Sequence, residues 1–171
     1  MFRVLGWKPA LPVVLIDLCK GMLAPYVAMK LADPGQTWLP LVAGLLAIVG
    51  HSFTCLAGFR GGKGVLTAMG VFSTLSPVAA LLSFSVWMAL TFSTGFVSLG
   101  SIGGCSMLGI LLTCGFFQVP GVGAVIGPVH PGLLAIGWAV AAFVIIKHKA
   151  NIKRLLNGTE NGFKNKKKVA E

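Results

Sequence analysis

Acidic side chains are nearly missing from this chain. Asp and Glu together number 4 in 171 residues, and charged residues of both signs make up only 11%. Soluble domains carry about 25%, so there is too little charge here to coat a soluble globule. So few carboxylates also leave no cluster for paired acid–base chemistry, and no His, Cys or acidic spacing suits a metal. The four cysteines, Cys19, Cys55, Cys105 and Cys114, stand singly in apolar surroundings without a Cys-x-x-Cys pair. They read as packing residues. A cleavable signal peptide is not expected, because the apolar run after Pro12 contains Asp17 and Lys20.

What the chain has is hydrophobicity, at 56% of residues. About six apolar segments are bounded by turn residues or charge. They run from Leu11 to Leu31, Trp38 to about Leu56, Val65 to Leu75, Ser76-Pro77 to about Phe92, Val97 to Phe117, and Gly132 to Ile146. The stretch from Val119 to Gly132, rich in Pro and Gly, is expected to be a loop without periodic structure. The fold class is therefore an all-α integral membrane protein, a polytopic bundle of about six transmembrane helices in one domain over 1–171. Residues 157–171 form a basic cytoplasmic tail. The third segment is short, since 11 residues rise only about 16 Å against a hydrocarbon core of about 30 Å.

If every segment crosses, Arg3, Lys8, Arg60, Lys63, Lys147, Lys149, Lys153, Arg154 and the Lys164–Lys168 cluster share one side. Lys30, Asp33 and His130 take the other. The positive-inside rule then places both termini in the cytoplasm. Three polar islands, Arg60–Gly64, Val97–Ser101 and Lys147–Arg154, are expected on the cytoplasmic face. The lysines of the tail read as lipid-facing charge.

The turn Phe59-Arg60-Gly61-Gly62-Lys63-Gly64-Val65, preceded by Gly50-His51-Ser52-Phe53, carries the most chemistry. Glycines expose backbone N–H groups beside fixed positive charge, which suits a phosphate. It is not a nucleotide P-loop, because Gly58 to Gly62 spans one residue too few and Gly64 replaces the magnesium-holding Ser/Thr. No strand precedes it, which removes the dinucleotide fingerprint.

The other polar residues admit plainer readings. His148 and Asn151 share one face if the last helix continues through them, where they could handle a proton and orient a hydroxyl, or simply anchor at the interface. His51 is read as a structural hydrogen-bonding residue, and His130 is given no role. Asp17 and Lys20 lie at i, i+3 inside the first segment, so they should face the interior and pair, as a staple or as part of a polar cavity. Ser98 and Ser101 share a helix face, where serines usually bond backbone or a neighbouring helix.

In combination and order these islands resemble the bacterial acyl-phosphate:glycerol-3-phosphate acyltransferases. The resemblance rests on Gly50–Phe53, on Phe59–Val65 with Thr67, and on Val97-Ser98-Leu99-Gly100-Ser101-Ile102. It is completed by His148-Lys149-Ala150-Asn151-Ile152-Lys153-Arg154-Leu155 with Gly158-Thr159-Glu160. It covers nearly the whole chain. Arg60 stands where the family usually has lysine. The family has seven helices, and its first helix and most of its first motif have no counterpart here; Met1–Gly6 looks like the end of that motif, with Arg3 as its arginine. About 40 upstream residues, an apolar span and a Gly/Ser/Asn-rich loop, are therefore expected, and the 171-residue form should be much less active than the extended one.

The resemblance implies transfer of a fatty acyl group from acyl phosphate to the 1-hydroxyl of glycerol 3-phosphate, giving lysophosphatidic acid and inorganic phosphate. Its partners would be acyl phosphate, glycerol 3-phosphate and membrane lipids, with no cofactor, metal or nucleic acid. The site would face the cytoplasm from the bacterial inner membrane. Arg3, Arg60, Lys63, Gly61, Gly62 and Gly64 would hold phosphate, and Ser101 would assist. Ser98, His148 and Asn151 would be catalytic, with either His148 or a substrate phosphate taking the hydroxyl proton. The alternative is a membrane transporter or binding protein for a phosphorylated metabolite or lipid, since glycine-interrupted helices and interior charge also suit that class.

Overall fold

A computed structural model describes residues 7–54, 58 and 61–163. Arg3, Arg60 and the Lys164–Lys168 cluster lie outside the described residues. The described chain is helical: α1 (Trp7–Leu31), α2 (Trp38–Ser52), α3 (Val65–Leu75), α4 (Pro77–Thr94), α5 (Val97–Phe116), α6 (Val122–Ile126), α7 (Pro131–Lys147) and α8 (Lys149–Leu156). Three of these are long and apolar enough to cross a bilayer: Lys8–Leu31, Pro77–Thr94 and Val97–Phe116. A fourth span arises if α7 and α8 are taken together across their 60° bend, while α2 and α3 are apolar but shorter. These six apolar helices fall where the sequence segments lie, and the protein is a multi-pass membrane protein.

Two local expectations are corrected. The stretch after Val119 is not wholly irregular, because α6 forms a short helix between Gly121 and Gly127, both at φ 80°. Left-handed backbone at each end starts and stops the helix where L side chains would be strained. The last helix does not continue through His148 and Asn151. It bends by 60°, with His148 at the junction, so their spacing does not place them on one helical face.

The chain divides into two compact units, residues 1–77 and 78–171. In the first, α1 and α3 pack backbone to backbone. A Cβ on Gly21 would lie 2.3 Å from the Thr67 carbonyl oxygen, and one on Gly70 would lie 2.2 Å from that of Leu18. Small residues are what permit this approach between helices in lipid, where burial of apolar surface gives little drive. Around the contact Ile48, Ala68, Val71 and Phe72 are buried. In the second unit α5 is the centre, with glycines on more than one side. Gly100 and Gly104 meet Trp87 and Thr91 of α4, while Gly109 lies under the Trp138 indole of α7. Trp138 Nε1 donates to Thr113 Oγ1 at 3.0 Å, tying α7 to α5.

Candidate active site

In the first unit, the basic glycine turn is seated on the end of α2. A Cβ on Gly61 would lie 2.0 Å from the carbonyl oxygen of His51, and one on Gly62 would lie 2.2 Å from His51 Nε2. Both positions thus need glycine for a packing reason, independently of any ligand. Gly64 at φ 79° is the residue from which α3 begins, so Lys63 sits between a packed turn and a helix N-terminus. A cavity of about 470 Å³ lies here, lined by Lys20, Gly50, His51, Thr54, Gly61 and Gly62 among others. Asp17 and Lys20 pair at 2.6 Å, and Lys20 Nζ also lies 2.7 Å from His51 Nδ1. The paired charges of α1 therefore meet the histidine that Gly61 and Gly62 abut.

In the second unit, the polar residues converge on one carboxylate. Glu160, beyond the end of α8, is buried and receives three hydrogen bonds. Ser98 Oγ donates to Oε1 at 2.8 Å, Asn151 Nδ2 to Oε1 at 2.7 Å, and Arg154 Nε to Oε2 at 2.7 Å. Burial by itself would raise the Glu160 carboxyl. The bonds from Asn151, Ser98 and Arg154, with the Arg154 charge, outweigh burial and hold it below the ordinary carboxylate value. The signal available in the sequence was its isolation: a single acid in a basic stretch, six residues after Arg154.

His148 is 2% exposed, and its Nδ1 lies 2.8 Å from the carbonyl oxygen of Val144. That carbonyl can only accept, so Nδ1 carries the proton and Nε2 of the neutral ring is the basic nitrogen. Ser101 Oγ donates to the Val97 carbonyl at 2.9 Å. The structure thus brings Ser98 and Asn151 together through Glu160, and gives Ser101 a backbone bond of the kind common within membrane helices. His130 caps α7 by accepting from the Gly132 amide at 3.1 Å.

Residues 1–158 match the family model described as Glycerol-3-phosphate acyltransferase. A protein of that name from Chlorobaculum parvum is 41% identical over 182 residues, covering 94% of this chain and 77% of its own length. One from Fusobacterium nucleatum subsp. nucleatum is 39% identical, covering 95% and 77%. Among solved structures, PlsY (YgiH), an integral membrane glycerol 3-phosphate acyltransferase, superposes in its glycerol 3-phosphate form with a TM-score of 0.80. It is 34% identical, covering 95% of this chain and 74% of that one. Its lysophosphatidic acid form superposes with a TM-score of 0.79.

Proposed function

We infer the activity of this protein from its membership: the chain belongs to the glycerol-3-phosphate acyltransferase family. It transfers a fatty acyl group from acyl phosphate to the 1-hydroxyl of glycerol 3-phosphate, releasing lysophosphatidic acid and phosphate. The observation that carries this is the solved relative, whose two forms are named for the acceptor and for the acylated product. Acyl phosphate is a mixed anhydride with a good leaving group, so the residues need supply only positioning and charge stabilisation. The distribution of basic residues supports a site on the cytoplasmic side, and the bacterial relatives support a bacterial cell membrane.

Lys63, with Arg60 and Arg3, neutralises substrate phosphate, and the backbone of Gly61, Gly62 and Gly64 lets that phosphate approach. Ser98 and Asn151, aligned by Glu160, orient the glycerol hydroxyl, and Ser101 assists. His148, protonated at Nδ1, offers Nε2 to the hydroxyl proton. The oxygen then attacks the acyl carbonyl, the C–O bond to phosphate breaks, and phosphate leaves with the electron pair.

The test supplies purified protein in detergent or lipid with acyl phosphate and glycerol 3-phosphate and follows phosphate release and lysophosphatidic acid. Activity with acyl-CoA but not acyl phosphate would remove the donor assignment. Vesicle uptake of glycerol 3-phosphate without acyl transfer would favour transport instead. Lys63→Ala should lower kcat/KM by about 10²-fold, the order expected for losing a charge-assisted phosphate contact, while the protein still folds. Unchanged kinetics would remove Lys63 from the site. His148→Gln should flatten the acid limb of the pH–rate profile, and a profile matching wild type would give the proton to substrate phosphate.

A further inference from the structure

The Asp17–Lys20 pair has more than a partner in each other. Lys20 Nζ lies 2.6 Å from Asp17 Oδ1 and 2.7 Å from His51 Nδ1, and the same carboxylate oxygen is 3.4 Å from that nitrogen. An ammonium only donates, so the contact makes Nδ1 the acceptor and leaves the ring proton on Nε2. Nε2 is the atom against which Gly62 is seated, since a Cβ there would lie 2.2 Å away. The His51 carbonyl oxygen holds Gly61 in the same way, at 2.0 Å. Lys63 follows directly, and α3 beyond it is fixed to α1 through Gly21 and Gly70. The turn is therefore clamped at both ends by α1: directly through α3, and indirectly through His51.

We propose that Asp17 and Lys20 are positioning residues for the acyl transfer, setting the His51 ring whose far edge seats Gly61–Gly62 and so fixes where Lys63 meets substrate phosphate. A staple within α1 alone would not need the lysine to reach the ring nitrogen. Nor would it need that ring to abut a glycine one residue from the phosphate-binding cation. Lys20 and His51 also line the cavity beside the turn, so the relay borders the space a substrate headgroup would enter. The proposal rests on the acyltransferase reading for its kinetic consequence, but not for its geometry.

Two readouts test it on the full chain in lipid. The first is the ¹⁵N spectrum of the histidines, with the His51 resonance identified by its loss in His51→Asn. Wild type should show His51 protonated at Nε2 and accepting at Nδ1, and Lys20→Met should abolish that tautomer preference. The second is the split between KM and kcat. Lys20→Met should raise KM for glycerol 3-phosphate about tenfold while kcat stays within about twofold, and Lys20→Arg should restore KM. His51→Asn, which offers an acceptor near Nδ1 but lacks the ring edge, should raise KM similarly, and adding it to Lys20→Met should add nothing. Should Lys20→Met fail to fold, His51→Asn and Lys20→Arg carry the same comparison. The proposal is overturned if the tautomer shifts without a change in KM, if KM changes while the tautomer holds, or if the two substitutions add. A wild-type protein with no acyl transfer would overturn the functional reading, while the ¹⁵N readout would still judge the relay.

Discussion

Glu160→Ala should lower the melting temperature by about 4–24 °C and abolish most acyl transfer. The carboxylate is the common acceptor for Ser98, Asn151 and Arg154, and Ser98 and Asn151 are buried with it. Removing an acceptor from buried donors costs about 1–3 kcal/mol each. Arg154 is 41% exposed, so its share is small. The two buried donors together give about 2–6 kcal/mol, which at about 2–4 °C per kcal/mol sets the range of melting shift for a chain of this size. Activity should fall further than stability, because on the proposed mechanism Ser98 and Asn151 lose the group that aligns them. The pH dependence has a defined sign. Glu160 is held below its ordinary value near 4.5, so its contribution is complete above that value and is lost as pH falls through the lower, folded one. Thermal melts of wild type should therefore drop below about pH 4.5, and Glu160→Gln should lack that component. A Glu160→Ala protein that melts with wild type and turns over normally would dismiss the carboxylate as a hub.

Gly61→Ala should lower kcat/KM by about 10²-fold in a protein that remains folded. Its new Cβ would meet a backbone oxygen at 2.0 Å, and backbone cannot swing aside as a side-chain tip can. The turn must shift bodily, carrying Lys63 with it, and misplacement by about 1 Å can cost that much in rate. Gly62→Ala makes a useful companion, since its Cβ meets only the His51 ring, at 2.2 Å. Michaelis–Menten analysis of both variants, with circular dichroism as a check on folding, decides the matter. Normal constants for Gly61→Ala would show that the turn is not tightly seated.

The helices were readable because apolar runs bounded by charge, Pro and Gly are the dominant signal in a membrane chain. The span Val65–Leu75 coincides with its sequence segment to the residue. The bend at His148 was not readable: Lys147, His148 and Lys149 contain no Gly or Pro, and the change there is from wholly apolar to basic amphipathic sequence. The short helix Val122–Ile126 was hidden because glycines mark breaks without saying what lies between them. The polar residues were legible as types and illegible as contacts. Ser98 and Glu160 are 62 positions apart, and nothing local indicates that they bond. Likewise His51 reads as an isolated structural histidine until α1 brings Lys20 to its ring.

The brevity of α2 and α3 has a consequence for how two unlike substrates meet. Fifteen and eleven residues amount to about 22 Å and 16 Å of helix, against about 37 Å for the 25-residue α1. Neither short helix alone spans a hydrocarbon core of about 30 Å, so lipid or water would dip to meet their ends. A dip of that kind would form a shallow well in the membrane surface near the start of α3, which Lys63 precedes. A small, doubly charged, water-borne molecule can descend into it without leaving solvent, and an acyl carbonyl buried just below the headgroups can reach it without leaving hydrocarbon. On the proposed placement of the site, the short helices would bring the aqueous and lipid phases to one level where the ester bond forms.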